Sequence, residues 1–168
     1  METKEENMEH GVMHLRPGDG RSLQVSGELV TYKITSEQTG GAYSLFEVVS
    51  EPGGGPPPHV QHREDEVFYV LEGEYDFLDD DGRTMRVGKG SLVYVPKGAL
   101  HTHKNIDDKP GRMLVSQTPG GLHERFFEEI GELATDESHL VFEGSVGIEK
   151  IAVIAAEYGI EIPLTPDQ

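Results

Sequence analysis

Between Ser22 and Thr118 a Gly, Pro or Asp-Gly turn signal interrupts the chain about every ten residues, which leaves room only for short strands. The predicted strands are Ser22–Val25, Glu28–Thr35, Ala42–Glu51, His59–Gln61, Glu66–Leu71, Glu74–Leu78, Arg83–Val87, Ser91–Val95, His101–Ile106 and Arg112–Thr118. Period-two alternation places Val30, Tyr32 and Ile34 on one face of their segment, and Ser44, Phe46 and Val48 on one face of theirs. Asp79-Asp80-Asp81-Gly82 is a hairpin signal, because Asp and Gly accept the positive φ that tight hairpins require. Many short strands at even spacing predict a closed barrel or double-sheet jelly roll.

After Pro119-Gly120-Gly121 the period lengthens. Leu122, Phe126, Ile130 and Leu133 recur at helical spacing, which predicts an amphipathic helix over Leu122–Ala134. A second helix is predicted over Ile148–Tyr158, with Gly159 as its stop. The expected organisation is a flexible leader (1–10), a β-barrel (11–120) and a helical segment packed on the barrel (121–168). The fold class is therefore mainly β, a single-domain jelly-roll β-barrel with two C-terminal α-helices. The helices serve as a lid, a brace or part of a dimer contact.

A net charge of −17, from 31 acidic against 14 basic residues, argues against nucleic acid or an anionic membrane as partner, because neutralising phosphates needs a basic face. The chain has no cysteine, so disulfides and thiolate ligands are excluded. The polar, acidic start METKEENMEH lacks the basic and apolar regions of a signal peptide, and the longest aliphatic run, Ile151–Ala156, is too short to span a bilayer. The expected location is the cytoplasm.

Chemistry concentrates in two blocks. Gly53–Glu74 reads GGGPPPHVQHREDEVFYVLEGE, and Gly90–Asn105 reads GSLVYVPKGALHTHKN. Imidazole and carboxylate are the ligands a divalent transition ion prefers. On a strand, residues two apart point the same way, so His59 and Gln61 share a face, as do His101, His103 and Asn105. Glu66 has the opposite parity to His59, so the polar HRED stretch must contain a turn or bulge that resets it. His62 turns outwards unless the strand bulges. His10, His14, His123 and His139 are read as surface residues, and Phe46, Phe68, Tyr94 and Met113 as core residues that could also line a cavity. Asn105 is read as capping a backbone group.

The first block resembles the first cupin motif, at Gly53, His59, Glu66 and Gly73, and the second resembles the second motif, at Gly90, Pro96, Gly98, His101 and Asn105. The wording of GGPPPHVQHREDEVFYVLEGE and PGGLHERFFEEIGE is similar to the small single-domain, quercetinase-like cupins of type 2. The resemblance covers roughly residues 40 to 135. It implies one divalent transition metal ion (Fe, Mn, Ni, Cu, Co or Zn) held by His59, Glu66, His101 and the residue at 61. It also implies that Glu66 accepts a substrate hydroxyl proton, with a small molecule and molecular oxygen as partners and a homodimer as the default assembly.

The departure is Gln61, where the family carries its second histidine. Gln61 could ligate through its carbonyl oxygen, His62 could replace it through a bulge, His103 could complete the set from the facing strand, or the metal could be lost. The readings that follow are a metal-dependent dioxygenase of a small aromatic hydroxy or enol compound such as a flavonol, a non-catalytic binding cupin, and a sugar isomerase or epimerase. The last needs a basic phosphate-holding residue in the barrel, for which Lys33 and Arg112 are the nearby candidates. If position 61 faces the metal, Gln61→His raises affinity for a divalent transition ion in titration calorimetry; unchanged affinity would place this side chain outside the site.

Overall fold

In the computed structural model, residues 11–133 and 147–164 are described. The expected leader (1–10) lies outside them, as do parts of the helical segment (134–146 and 165–168) and with them His10 and His139. Ten strands run to Thr118: β1 (Arg21–Val25), β2 (Glu28–Ile34), β3 (Ser44–Ser50), β4 (His59–Gln61), β5 (Asp65–Glu72), β6 (Glu74–Leu78), β7 (Thr84–Gly88), β8 (Leu92–Val95), β9 (Leu100–Asn105) and β10 (Gly111–Thr118). Helix α1 (Leu122–Ile130), the short β11 (Glu132–Leu133), helix α2 (Ile148–Glu157) and the short β12 (Ile160–Glu161) follow.

The strands form two antiparallel sheets, in the orders β11-β1-β2-β3-β10-β5-β8 and β12-β4-β9-β6-β7. This is a jelly roll with C-terminal helices. Local chemistry sets the register of the first hairpin. Ser26 and Gly27 both hold positive φ (49° and 81°), the two-residue turn whose twist matches the strands and which pairs Val25 with Glu28. Inward alternation in β3 buries Ser44, Phe46, Val48 and Ser50. Phe46, Phe68, Val70, Tyr75, Phe77 and Met113 fill the space between the sheets, and a fully buried side chain of this size contributes about 1.5–3 kcal/mol.

The expected first helix is shorter than its apolar period suggested. Gly131 leaves the helical region (φ −85°, ψ 157°) and its N–H bonds to the Phe127 carbonyl, so α1 ends at Ile130. Leu133 then pairs with Leu23 as part of β11. Tyr94 and Met113 do not line the cavity described below: Tyr94 faces outward on the edge strand β8 and is exposed, and Met113 is wholly inside the core.

The C-terminal elements are integral to the barrel. Ile160 and Glu161 of β12 pair with Gln61 and Val60 of β4, and the His62 N–H bonds to the Gly159 carbonyl. Ala155 of α2 packs with Phe126 of α1 and with Ile160, joined by Ile151, Ile154 and Tyr158. No helix among the described residues is long and apolar enough to cross a membrane.

Close approach fixes one glycine of the core. A Cβ on Gly111 would stand 2.3 Å from the Tyr75 hydroxyl oxygen and 2.7 Å from its Cζ, and the Tyr75 ring is fully buried. Gly111→Ala is expected to lower stability by about 1–3 kcal/mol through displacement of that ring. Thermal unfolding measures it, and an unchanged midpoint would mean that the ring has free space to move into.

Candidate metal centre

Strands β4 and β9 lie side by side with His59 directly opposite His101. Their inward residues alternate, so His59 and Gln61 are buried on β4, and His101, His103 and Asn105 on β9. The chain then changes sheet. Residues 62–64 form a corner, and β5 begins in the facing sheet with its own alternation, which turns Glu66 inward. The corner is the parity reset that HRED required. On the far side, Glu66 pairs in register with Gln117 of β10. Donor atoms of His59, Glu66 and His101 consequently lie within 4.8 Å of one another, all buried.

Each imidazole is held by its outer nitrogen. His59 Nδ1 lies 3.1 Å from the Pro57 carbonyl and His101 Nδ1 3.1 Å from the Ala99 carbonyl. An N–H donated to a carbonyl fixes the tautomer and leaves Nε2 aimed at the centre, as it is in rings that bind metals. Glu66 is 4% exposed and collects three partners. Gln117 Nε2 donates to Oε1 at 2.8 Å, Gln61 Nε2 donates to Oε2 at 2.8 Å, and His101 Nε2 lies 3.0 Å from Oε2.

The electrostatics follow. Burial raises the Glu66 carboxyl, but the His101 hydrogen bond and the imidazoles of His123, His101 and His59 outweigh it and bring it down to about 2. Burial depresses His101, yet the bond and charge of Glu66 reverse this and raise it. With Nδ1 already donating, the His101–Glu66 contact is an imidazolium–carboxylate pair. A proton and a cation would compete for this nitrogen. Two imidazole nitrogens and a carboxylate, buried and converging, fit a divalent transition ion.

Gln61 enters this cluster. It is 2% exposed, and besides Glu66 its Nε2 lies 3.5 Å from His59 Nε2 and 3.4 Å from His123 Nε2. Its carbonyl oxygen Oε1 is buried without a partner, an acceptor left open inside the site. His62 points to the surface, with Nε2 2.8 Å from Glu161 Oε2. His103 shares the inward face with His101 but stands two residues along the strand, about 6.6 Å further, where its Nε2 is 3.0 Å from Glu28 Oε1. Asn105 caps backbone groups, donating to the Ser50 and Lys109 carbonyls and accepting from the Asp107 N–H.

Sequence reasoning missed three residues. His123, read as a surface residue, is 5% exposed and faces the cluster. The signal was its spacing from Phe126, Phe127 and Ile130, which share one face of α1 with it. Glu64 is 2% exposed and bonds His123 Nδ1 at 2.6 Å. Gln117 follows Met113 and Val115 on the inward alternation of β10, and a polar residue in that series marks a buried partner. Beside the cluster lies a cavity of about 80 Å³. His59, Glu66 and His123 form its polar end, while Phe126, Phe127, Ile151 and Ile160 close it on the helical side.

Stability of the metal-free protein should follow these shifts. Burial, then the like charge of His101, pushes His59 from 6.5 down to about 3. The unfolded chain accepts a proton that the folded state refuses, so this contribution is complete above about pH 6.5 and lost as the pH falls toward 3. Glu66 adds a second loss between 4.5 and about 2. His101 works oppositely, stabilising below 6.5 and losing its contribution as the pH rises through its raised value. Denaturant unfolding in the presence of chelator should show the acid decline, and His59→Gln should flatten its upper part. An equally steep decline in the variant would assign the effect to other groups.

The cupin domain family matches residues 46–116. Germin-like protein subfamily 2 member 4 of Arabidopsis thaliana is 38% identical over 96 residues, covering 52% of this chain and 43% of that protein. The rhicadhesin receptor of Pisum sativum is 32% identical over 115 residues, covering 62% and 52%. The chain thus spans about half or less of these curated relatives. Among solved structures, the polyketide cyclase RemF from Streptomyces resistomycificus superposes with a TM-score of 0.57 at 26% identity, covering 64% of this chain and 80% of that one. KdgF from Halomonas sp. superposes at 0.58 and 15% identity, covering 67% and 96%, a likeness of fold. The matched span contains His59, Gln61, Glu66 and His101, and residues 46–116 of the chain carry a cupin domain.

Proposed function

We propose that the chain is a metal-dependent dioxygenase acting on a small, largely apolar compound with an acidic hydroxyl, of the aromatic hydroxy or enol kind that flavonols represent. The observation that carries this reading is the convergence of His59, Glu66 and His101, with His59 and Glu66 opening onto a cavity whose walls are largely apolar. His59, Glu66 and His101 would hold the ion, with the Gln61 carbonyl as a neutral donor. When bound, the ion supplies an electrophile that stabilises the substrate oxyanion and brings molecular oxygen next to it.

The chain's residues define the rest. Apolar walls of Phe46, Phe68, Phe126 and Phe127 take the rings of the substrate and exclude water. Its hydroxyl meets Glu66, whose carboxylate accepts the proton while Gln117 holds the other oxygen in place. Both atoms of oxygen enter the product, so no external reductant is needed. Among the described residues the cavity lining has no Lys or Arg to hold a phosphate. Lys33 bonds the Asp19 carbonyl and Arg112 pairs with Glu47, both at exposed positions, which disfavours sugar-phosphate chemistry.

The likeness to the polyketide cyclase supports a second reading, oxygen-independent ring closure of an apolar polyketide-like substrate at the same acid–base groups. Oxygen uptake separates the two. Metal-loaded protein given a flavonol should consume oxygen, chelator should stop it, and Glu66→Gln should lower the rate about 100-fold or more. Loaded protein that turns over substrate without consuming oxygen would overturn the dioxygenase reading in favour of cyclisation.

A further inference from the structure

His123 lies outside the matched cupin span, on a helix that the barrel strands do not require, yet it is turned into the cluster. We propose that His123 supplies the imidazole missing at position 61, as a third nitrogen ligand of the metal centre, with Glu64 as its positioning residue. This rests on the reading of the cluster as a metal centre.

The ring is held from two sides. Glu64 Oε2 lies 2.6 Å from His123 Nδ1, and Glu64 Oε1 accepts the His123 backbone N–H at 3.2 Å. One carboxylate thus fixes both the first turn of α1 and the ring upon it. A carboxylate on Nδ1 selects the Nδ1–H tautomer and leaves Nε2 as a lone pair, the arrangement by which ligating histidines are oriented and made more basic. His59 and His101 show the same design with carbonyls in place of the carboxylate. Stability alone gives weak reason to bury Glu64 and His123 at 2% and 5% exposure, since an apolar pair of similar volume would serve as well.

The Gln61 amide shows where the ion would sit. Its Nε2 is surrounded by Glu66 Oε2 at 2.8 Å, His59 Nε2 at 3.5 Å and His123 Nε2 at 3.4 Å. The amide hydrogens, carrying partial positive charge, fill a space on which three acceptors converge. Ligand atoms in such sites stand about 2.0–2.2 Å from the ion, so each of the three closes by about an ångström when the amide nitrogen gives way. His123 does not belong to the tight group of His59, Glu66 and His101. It joins when the Gln61 amide turns and presents Oε1, the oxygen now buried without a partner. The histidine on the helix and the neutral glutamine on the strand then complete one donor set.

Cu²⁺ loaded on the full chain tests this by counting. Pulsed electron paramagnetic resonance should register three coordinated imidazoles in the wild type and two in His123→Gln. Chelator competition should show a loss of Cu²⁺ affinity in that variant greater than the about 10- to 100-fold that losing a ligand's outer partner costs. Glu64→Gln should keep three imidazoles and lose affinity by a smaller factor. Gln61→His in the His123→Gln background should restore the third imidazole and the affinity, which separates ligation from damage to the fold. Equal affinity and two imidazoles in both wild type and His123→Gln would overturn the assignment alone. A wild-type chain that takes up no Cu²⁺ would overturn the metal-centre reading and this assignment with it.

Discussion

The structure depends on one buried charge. Glu66 is almost wholly removed from water in a space lined largely by apolar residues, a position where an unpaired carboxylate would take up a proton or unfold its surroundings. Three donors keep it ionised: the Gln117 amide from the neighbouring strand of its own sheet, and Gln61 and His101 from the facing sheet. No single sheet can supply them. The carboxylate is satisfied only when the two sheets close face to face, so barrel closure and site assembly are one event.

The same closure orders the helical segment. Strand β12 pairs with β4, so the strand carrying His59 and Gln61 is flanked by β9 on one side and by the C-terminal tail on the other. Phe126, Ala155 and Ile160 form a second apolar cluster that covers the cavity, and α1 enters it with His123 already fixed by Glu64. With water largely excluded, each charge near the cluster acts through a low dielectric, and the imidazoles shift Glu66 as far as they do for that reason.

A glutamine at position 61 is not a gap in the cluster. The amide bridges Glu66 and two imidazoles while leaving its own carbonyl without a partner. Such a group is stable in its present hydrogen bonds, and it is also poised to exchange them for a cation.

Much of this was legible in the sequence, and the reason is geometric. Strand parity is local, so the alternation of His59 with Gln61 and of His101 with His103 and Asn105 followed from spacing alone. The same arithmetic turned His62 outward, and the turn residues between strands set the jelly roll. What spacing could not supply was any meeting of elements joined by a corner or a loop. The partner of His103 proved to be Glu28, from the opposite sheet and 75 residues away. His123 and Glu64, separated by 59 residues, meet only because the corner after β4 and the start of α1 reach the same end of the barrel. The helical period of Leu122, Phe126 and Ile130 left the rotation of α1 open by one residue, and packing of Phe126 and Phe127 against the barrel decided it in favour of burying His123. The sequence by itself determined which strand residues face inward. Only the tertiary structure decided which of them meet, because long-range contacts depend on how the sheets close and not on the period of any one strand.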